Sequence, residues 1–246
     1  MNGDPTIDPL SMKPRSNRLC YNCGIREATT LDHVISKTLV PEPRPNNLVT
    51  VPACKECNGG FSKDEEYLRD RLSAATAGKD FDAPATWDKA WRSMHRPKAR
   101  GKKFGLFKDI FKLPAPVETK DGPSDMGILM DKQRVNRVVE KMVRGFYSHH
   151  FKKPLGDVKF DIDMLSSINA RGNQKAVLEC IKKIFRAPTW AQNFGPDPYV
   201  VCGLAEEDER AGVWAFKLLG QYILVALVAP SGYFEKDHTR KRLPTP

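Results

Sequence analysis

Two pairs of cysteines constrain this chain more than any other feature of its sequence. The first pair is Cys20 and Cys23, the second is Cys54 and Cys57, and each has the spacing Cys-x2-Cys. Two such loops can present four thiolates to one metal ion, and zinc prefers this tetrahedral sulfur set. Because four protein ligands leave no position open to substrate, we predict a structural zinc that contributes to folding. The alternative is a redox role for one of the pairs.

Composition narrows the class of protein. The chain has 246 residues, which is enough for one large domain or two small ones. Its formal net charge is +10. A basic balance favours nucleic-acid phosphates as partners, although a basic protein without such a partner fits equally well. The N-terminal residues lack the apolar run of a signal peptide. The apolar stretch 213–229 contains Lys217 and is shorter than the ~20 residues that a spanning helix needs. We therefore expect a cytoplasmic protein with no membrane segment.

The pattern along the chain predicts an α+β protein with two structured parts. Residues 1–18 read as a flexible lead-in, 19–72 as the cysteine-bearing module, and 73–116 as a linker with a helix and a basic loop. Residues 117–235 read as a C-terminal α+β domain, followed by a basic tail over 236–246.

Two main helices and an antiparallel sheet are predicted for the C-terminal domain. Asp131 is a candidate N-cap for a helix with one apolar stripe, and a second helix is expected over residues 173–186. Strands are expected over 117–120, 127–130, 157–162, 199–204, 213–219 and 222–228, the last two joined by a turn at Gly220-Gln221.

Between the cysteine pairs the chain carries polar residues that a structural zinc does not require. Asp32 and His33 begin the segment "DHVI", Asn47 precedes "LVTV", and Asn58 directly follows the last cysteine. In this order, with the flanking Cys-x2-Cys pairs, these segments resemble the HNH endonuclease family, and in particular the subgroup with a four-cysteine zinc. The resemblance covers residues 19–72. It implies a ββα-metal core, in which two antiparallel strands and a helix surround a catalytic divalent ion.

The resemblance also implies a role for each residue. His33 would be the general base that activates water, since a neutral imidazole can accept a proton near neutral pH. Asp32 and Asn58 would be oxygen ligands of catalytic Mg²⁺ or Mn²⁺, and Asn47 would hold the strand of His33 by a hydrogen bond across the loop. Because neighbouring strand residues point to opposite faces, we infer a twist or bulge at Asp32-His33.

The predicted function is metal-dependent hydrolysis of nucleic-acid phosphodiester bonds, with DNA favoured and 5′-phosphate and 3′-hydroxyl ends as products. Family analogy adds a role in defence against phage or mobile elements. The alternative is a non-catalytic zinc module that binds nucleic acid or a protein partner. In that case His33 would be an ordinary strand histidine beside Asp32, Asn47 a turn residue and Asn58 an N-cap.

A basic stretch from Arg92 to Lys112 is interleaved with phenylalanines, which suits phosphate contacts and stacking on unpaired bases. A solvated loop with its phenylalanines in the core is an equal alternative. The expected nucleic-acid contacts are Lys63, Arg100, Lys102 and Lys103. The C-terminal domain shows no catalytic motif, and it is a candidate surface for a regulatory partner or for homo-oligomer formation.

Overall fold

The computed structural model describes residues 18–76, 83–119, 122–166, 188–194, 198–206, 208–219 and 222–233. Over these ranges the protein is a mixed α+β fold whose strand pairs are all antiparallel. The predicted fold class is confirmed at this level.

The N-terminal part is a short hairpin followed by two helices. Strand β1 (Thr30–His33) pairs with β2 (Thr50–Ala53), and helices α1 (Lys55–Gly60) and α2 (Ser62–Thr76) follow directly. Acidic residues in the first turn of α2 face the positive end of the helix dipole, which favours a helix start there.

The middle of the chain is more regular than its sequence predicts. Helix α3 (Ala83–Met94) is followed by α4 (Arg100–Asp109), and then by a hairpin of β3 (Ile110–Thr119) and β4 (Gly122–Ile128). The prediction of a basic loop here is therefore wrong for the residues of α4. Its glycines favour a turn, but the buried Leu106 packs into a small core with α3, and this contact outweighs their low helix propensity.

Helix α5 (Lys132–Phe151) begins where the sequence predicts. The Asp131 carboxylate accepts hydrogen bonds from the backbone N–H groups of Gln133 and Arg134, at 3.0 and 3.3 Å. The helix ends at Lys152, which adopts the left-handed conformation with φ 59°.

A five-stranded sheet packs beside α5, in the order β5-β9-β8-β7-β6. Its strands are β5 (Lys159–Ser166), β6 (Trp190–Asn193), β7 (Tyr199–Leu204), β8 (Gly212–Leu218) and β9 (Tyr222–Ala229). The helix predicted over 173–186 and the turn at 220–221 lie outside the described residues, as do the tails 1–17 and 234–246.

The N-terminal hairpin and the C-terminal sheet share one buried core. A continuous apolar cluster runs from Cys20 and Val34 through α5 to Val228. Gly145 of α5 lies so close to Val34 that an added Cβ would sit 2.7 Å from Val34 Cγ1. Within the described ranges no helix is long and apolar enough to cross a membrane.

Candidate functional site

The four cysteines come together as a compact group. Their Sγ atoms all lie within 4.8 Å of one another, and this is the one such group of potential metal ligands in the part of the chain that the structure describes. The first loop turns at Gly24, whose φ of +64° favours glycine and whose N–H donates to the Cys20 carbonyl at 2.9 Å. The second pair begins α1, where Cys54 Sγ caps the helix by accepting from the Cys57 N–H.

The electrostatics of the thiols suit a bound cation. Burial raises the pKa of Cys57 to about 12 and also raises that of Cys20. Burial opposes ionisation of Cys23 as well, but backbone N–H groups lower the pKa of Cys23 to about 7. Four thiols in such proximity cannot all ionise without a cation. Outer donors also reach the sulfurs, with Asn22 Nδ2 3.5 Å from Cys57 Sγ and Arg26 Nη1 3.7 Å from Cys54 Sγ. The residues present therefore fit a metal ion and are consistent with structural zinc.

Asp32 lies on the buried face of the hairpin, where both its oxygens have partners. It is 5% exposed. The Tyr21 hydroxyl donates to Asp32 Oδ2 at 2.7 Å, and the Lys141 ammonium donates to Oδ1 at 3.1 Å. Burial and the Asp32 charge raise the pKa of Tyr21 above its usual range, so the phenol remains a donor.

Lys141 of α5 is fully buried and fully paired. It is 1% exposed, and its Nζ lies 2.5 Å from Glu65 Oε1 and 2.9 Å from the His33 carbonyl oxygen, in addition to Asp32. An ammonium has three donors, and here each has an acceptor. We call Tyr21, Asp32, Glu65 and Lys141 the buried polar cluster. Two carboxylates and one ammonium give it a formal charge of minus one.

Asp32 and His33 follow the ordinary alternation of a strand. The hairpin pairs are Thr30 with Ala53 through His33 with Thr50, one to one without an inserted residue. Of the twist or bulge inferred from the sequence, the bulge is therefore wrong. The side chain of Asp32 is buried, whereas His33 is half-buried at the last position of β1, where the hairpin ends.

The His33 imidazole is nevertheless influenced by the buried polar cluster. Burial is the largest cause that lowers the pKa of His33 below its ordinary value. Lys37 and Lys141 lower this pKa further, while Glu65 partly opposes them. A lowered pKa keeps the imidazole neutral at pH 7, which is the form that can accept a proton.

Asn58 is placed against the strand of Asp32 and His33. It lies within α1 instead of at its N-cap, which is Cys54. Its Nδ2 donates to Thr30 Oγ1 at 3.0 Å and to the Leu31 carbonyl at 3.2 Å. Asn47 bonds elsewhere, because its Nδ2 donates to the Asn193 carbonyl of β6 at 3.2 Å. The contact expected between Asn47 and the His33 strand is replaced by one to the C-terminal sheet.

A hard divalent cation fits the donors at Asp32 and Asn58 in chemical type. Carboxylate and amide oxygens are the ligands that Mg²⁺ prefers. Each carboxylate oxygen has a further lone pair beyond the bond it already accepts. The buried polar cluster retains a formal negative charge after Lys141 is counted.

The predicted nucleic-acid contacts have different environments. Lys63 is exposed on α2, and Lys102 pairs with Glu66. The Lys103 ammonium lies 5.2 Å from the Trp91 ring centroid and 3.1 Å from His95 Nε2. Arg100 begins α4, and its side chain lies outside the described part of the structure. Phe104 and Phe107 are 74% and 50% exposed, so the alternative in which the phenylalanines of this stretch dock into the core is wrong for these two.

Three residues of the buried polar cluster were not predicted as part of the site. Tyr21 lies inside the first Cys-x2-Cys loop, and Glu65 reads as an ordinary acid in the first turn of a helix. Lys141 lies among the apolar positions of α5, next to Met142. A lysine beside an apolar stripe was the one signal available, but its partners are more than seventy residues away in sequence.

Comparison with known proteins adds no assignment. No family model, curated protein or solved structure matches this chain.

Proposed function

We propose that this protein is a metal-dependent nuclease of the HNH type, with His33 as its general base. One observation carries the proposal. The amide of Asn58 is hydrogen-bonded to β1 at Thr30 and Leu31, which brings it beside the strand that bears Asp32 and His33. A hairpin ending in Asp-His and a following helix with Asn58 are parts that the HNH resemblance implies, and the adjacent four-cysteine group matches the zinc-bearing subgroup.

The His33 side chain has the protonation state that the reaction needs. Its lowered pKa leaves it neutral at pH 7, so the imidazole can remove a proton from a water that attacks phosphorus. The bond from phosphorus to the 3′ oxygen then breaks, the departing oxygen takes a proton from solvent water, and the products carry 5′-phosphate and 3′-hydroxyl ends. Lys37 is close enough to affect the His33 pKa, and its cation can attract a phosphate to the same place.

Asp32 and Asn58 would hold a divalent ion, Mg²⁺ or Mn²⁺. When bound, such an ion polarises the scissile phosphate and stabilises negative charge on the departing oxygen. Asp32 is held in one orientation by Tyr21 and Lys141, which limits the reorganisation needed on binding. The four cysteines would hold zinc and keep the hairpin folded.

The surface formed by α3 and α4 is the proposed contact for nucleic acid. It combines Lys103 with the ring of Trp91 and the exposed rings of Phe104 and Phe107. Basic groups can contact phosphates, and exposed rings can stack on unpaired bases. We name Trp91, Lys103, Phe104 and Phe107 the aromatic surface.

A second candidate is a zinc module that binds nucleic acid or protein without cutting. The observation in its favour is that Asp32 is already paired by Tyr21 and Lys141, so its carboxylate is satisfied without a metal. In this reading His33 is an ordinary residue at the end of a strand.

One assay separates the two candidates. Purified protein with its zinc content verified is incubated with plasmid, single-stranded DNA and RNA, in Mg²⁺, Mn²⁺ or EDTA. We expect cleavage of at least one substrate with either metal and none in EDTA, with 5′-phosphate ends detected by end-labelling. Binding without cleavage in every metal condition would favour the non-catalytic module.

A further inference from the structure

We propose that Lys141 is a positioning residue of the nuclease site, supplied to the hairpin by α5 from outside the motif-bearing segment. This inference rests on the proposed nuclease function. Lys141 touches two consecutive residues of the predicted site, the carboxylate of Asp32 and the backbone carbonyl of His33, at 3.1 and 2.9 Å.

The burial of this ammonium carries a desolvation cost that its acceptors have to offset. A fully buried charge loses its hydration, and apolar residues of similar size often replace buried ion pairs without loss of stability. Lys141 is 1% exposed and directs each of its donors at a different acceptor. The arrangement therefore fixes orientation, because the three acceptors belong to β1 and α2 and have to meet at one point.

A second contact from α5, made at Gly145, holds Val34, the residue that follows His33. Gly145 lies one turn after Lys141, and the absence of a side chain there lets Val34 pack directly against α5. The Val34 N–H donates to the Val49 carbonyl at 3.0 Å, which extends the hairpin ladder by one bond. Helix α5 thus contacts residues 32, 33 and 34 in succession, and it fixes the position from which the His33 side chain leaves the strand.

Neighbouring cations of α5 do not share this role, which provides a matched control. Arg134 Nε donates to Asp64 Oδ1 at 2.7 Å, and Arg134 Nη2 donates to the Lys63 carbonyl at 2.7 Å. These bonds join α5 to α2 without touching Asp32 or His33. Arg134→Met therefore breaks a contact between the same two helices and leaves the site residues held.

The experiment compares Lys141→Met with Arg134→Met in full-length, zinc-loaded protein. For Lys141→Met we expect kcat to fall ~100-fold, the loss typical of a small misplacement of catalytic groups, with KM little changed. Hydrogen exchange at the Val34 amide should accelerate in Lys141→Met and stay at the wild-type rate in Arg134→Met.

A further variant separates positioning from simple stability. Lys141→Met leaves the Glu65 carboxylate, Asp32 Oδ1 and the His33 carbonyl without this donor, so Lys141→Met/Glu65→Gln should recover part of the unfolding stability while kcat stays low. Recovery of kcat together with stability would overturn the positioning role, as would unchanged Val34 exchange in Lys141→Met. If wild-type protein cuts no nucleic acid, the proposed function fails and the positioning role fails with it. That outcome differs from full activity in Lys141→Met, which overturns the positioning role alone.

Discussion

Two polar centres hold the hairpin of β1 and β2, and they differ in how far apart their residues lie in the sequence. The four-cysteine group is built from residues close to the hairpin in sequence, two from the loop before it and two from the helix after it. The buried polar cluster instead joins Tyr21 and Asp32 to Glu65 of α2 and Lys141 of α5. The first centre offers four thiols to a metal ion, whereas in the second the carboxylates are already hydrogen-bonded by protein groups.

The difference shows how a short motif depends on the rest of its chain. A cluster of thiols can be recognised from spacing, because few other functions use two Cys-x2-Cys pairs. A buried ion pair is assembled by packing of distant elements, and nothing local in the sequence specifies it. The four-cysteine group that holds the hairpin lies within the motif-bearing segment, whereas Lys141 of the buried polar cluster comes from the C-terminal half of the chain.

Removing a cysteine should break the first centre and produce the largest effect. We expect Cys54→Ser to lose the bound metal and unfold residues 19–72, because structural zinc contributes about 10–16 kcal/mol to folding in zinc-finger peptides. Elemental analysis and thermal unfolding provide the measurement. Cys202→Ala, at a buried cysteine of β7 outside the group, should keep about one zinc per chain. Full zinc content in Cys54→Ser would contradict the assignment.

Removing the Tyr21 hydroxyl tests the second centre without changing its shape. Tyr21→Phe leaves Asp32 Oδ2 without its donor in a buried site, so we expect the free energy of unfolding to fall by about 1.5–3 kcal/mol. Zinc content should not change. Tyr147→Phe is the matched control, because its hydroxyl bonds Glu209 at a longer 3.4 Å, and the Glu209 side chain is 42% exposed. If urea unfolding shows the same loss of unfolding free energy in Tyr21→Phe and Tyr147→Phe, the hydrogen bond from Tyr21 to Asp32 has no special role.

Adding one methyl group tests how closely α5 and the hairpin pack. Gly145→Ala would place a Cβ 2.7 Å from Val34 Cγ1, and overpacking of this kind costs about 1–3 kcal/mol. Gly101→Ala near the start of α4 is the control, since nothing lies within 4 Å of its Cβ position and alanine stabilises by about 0.4–1 kcal/mol through the lower entropy of the unfolded chain. In chemical unfolding we expect Gly145→Ala to lower the free energy of unfolding and Gly101→Ala to raise it. A stabilising Gly145→Ala would show that α5 and the hairpin are loosely packed.

Removing the positive charge of the aromatic surface, at Lys103, should leave both polar centres intact and have the smallest of these effects. We expect Lys103→Gln to weaken nucleic-acid binding and to reduce the slope of log affinity against log salt by ~0.9 on duplex DNA, or ~0.7 on single strands. Lys132→Gln, at an exposed lysine at the start of α5, should keep the wild-type slope. A slope unchanged by Lys103→Gln would remove this surface from the binding site.

Features set by neighbouring residues were predictable from the sequence, whereas features set by distant contacts were not. The N-cap at Asp131 and the strand over 199–204 depend on local chemistry, and the structure places both as predicted. The cysteine group was predictable for the same reason. Helix α4 was not, because its formation depends on Leu106 packing against α3. The partners of Asp32 were also missed, since Lys141 reaches it from 109 residues away.

The rate at which His33→Ala cleaves nucleic acid tests the central claim most directly. Because the imidazole is proposed to activate the attacking water, its removal should slow cleavage by ~10²–10⁴-fold, the usual contribution of a general base. The variant should keep its zinc, its unfolding temperature and its nucleic-acid affinity, since Lys141 bonds the His33 backbone carbonyl and not the ring. Cleavage by folded, zinc-loaded His33→Ala at the wild-type rate would show that the active site lies elsewhere.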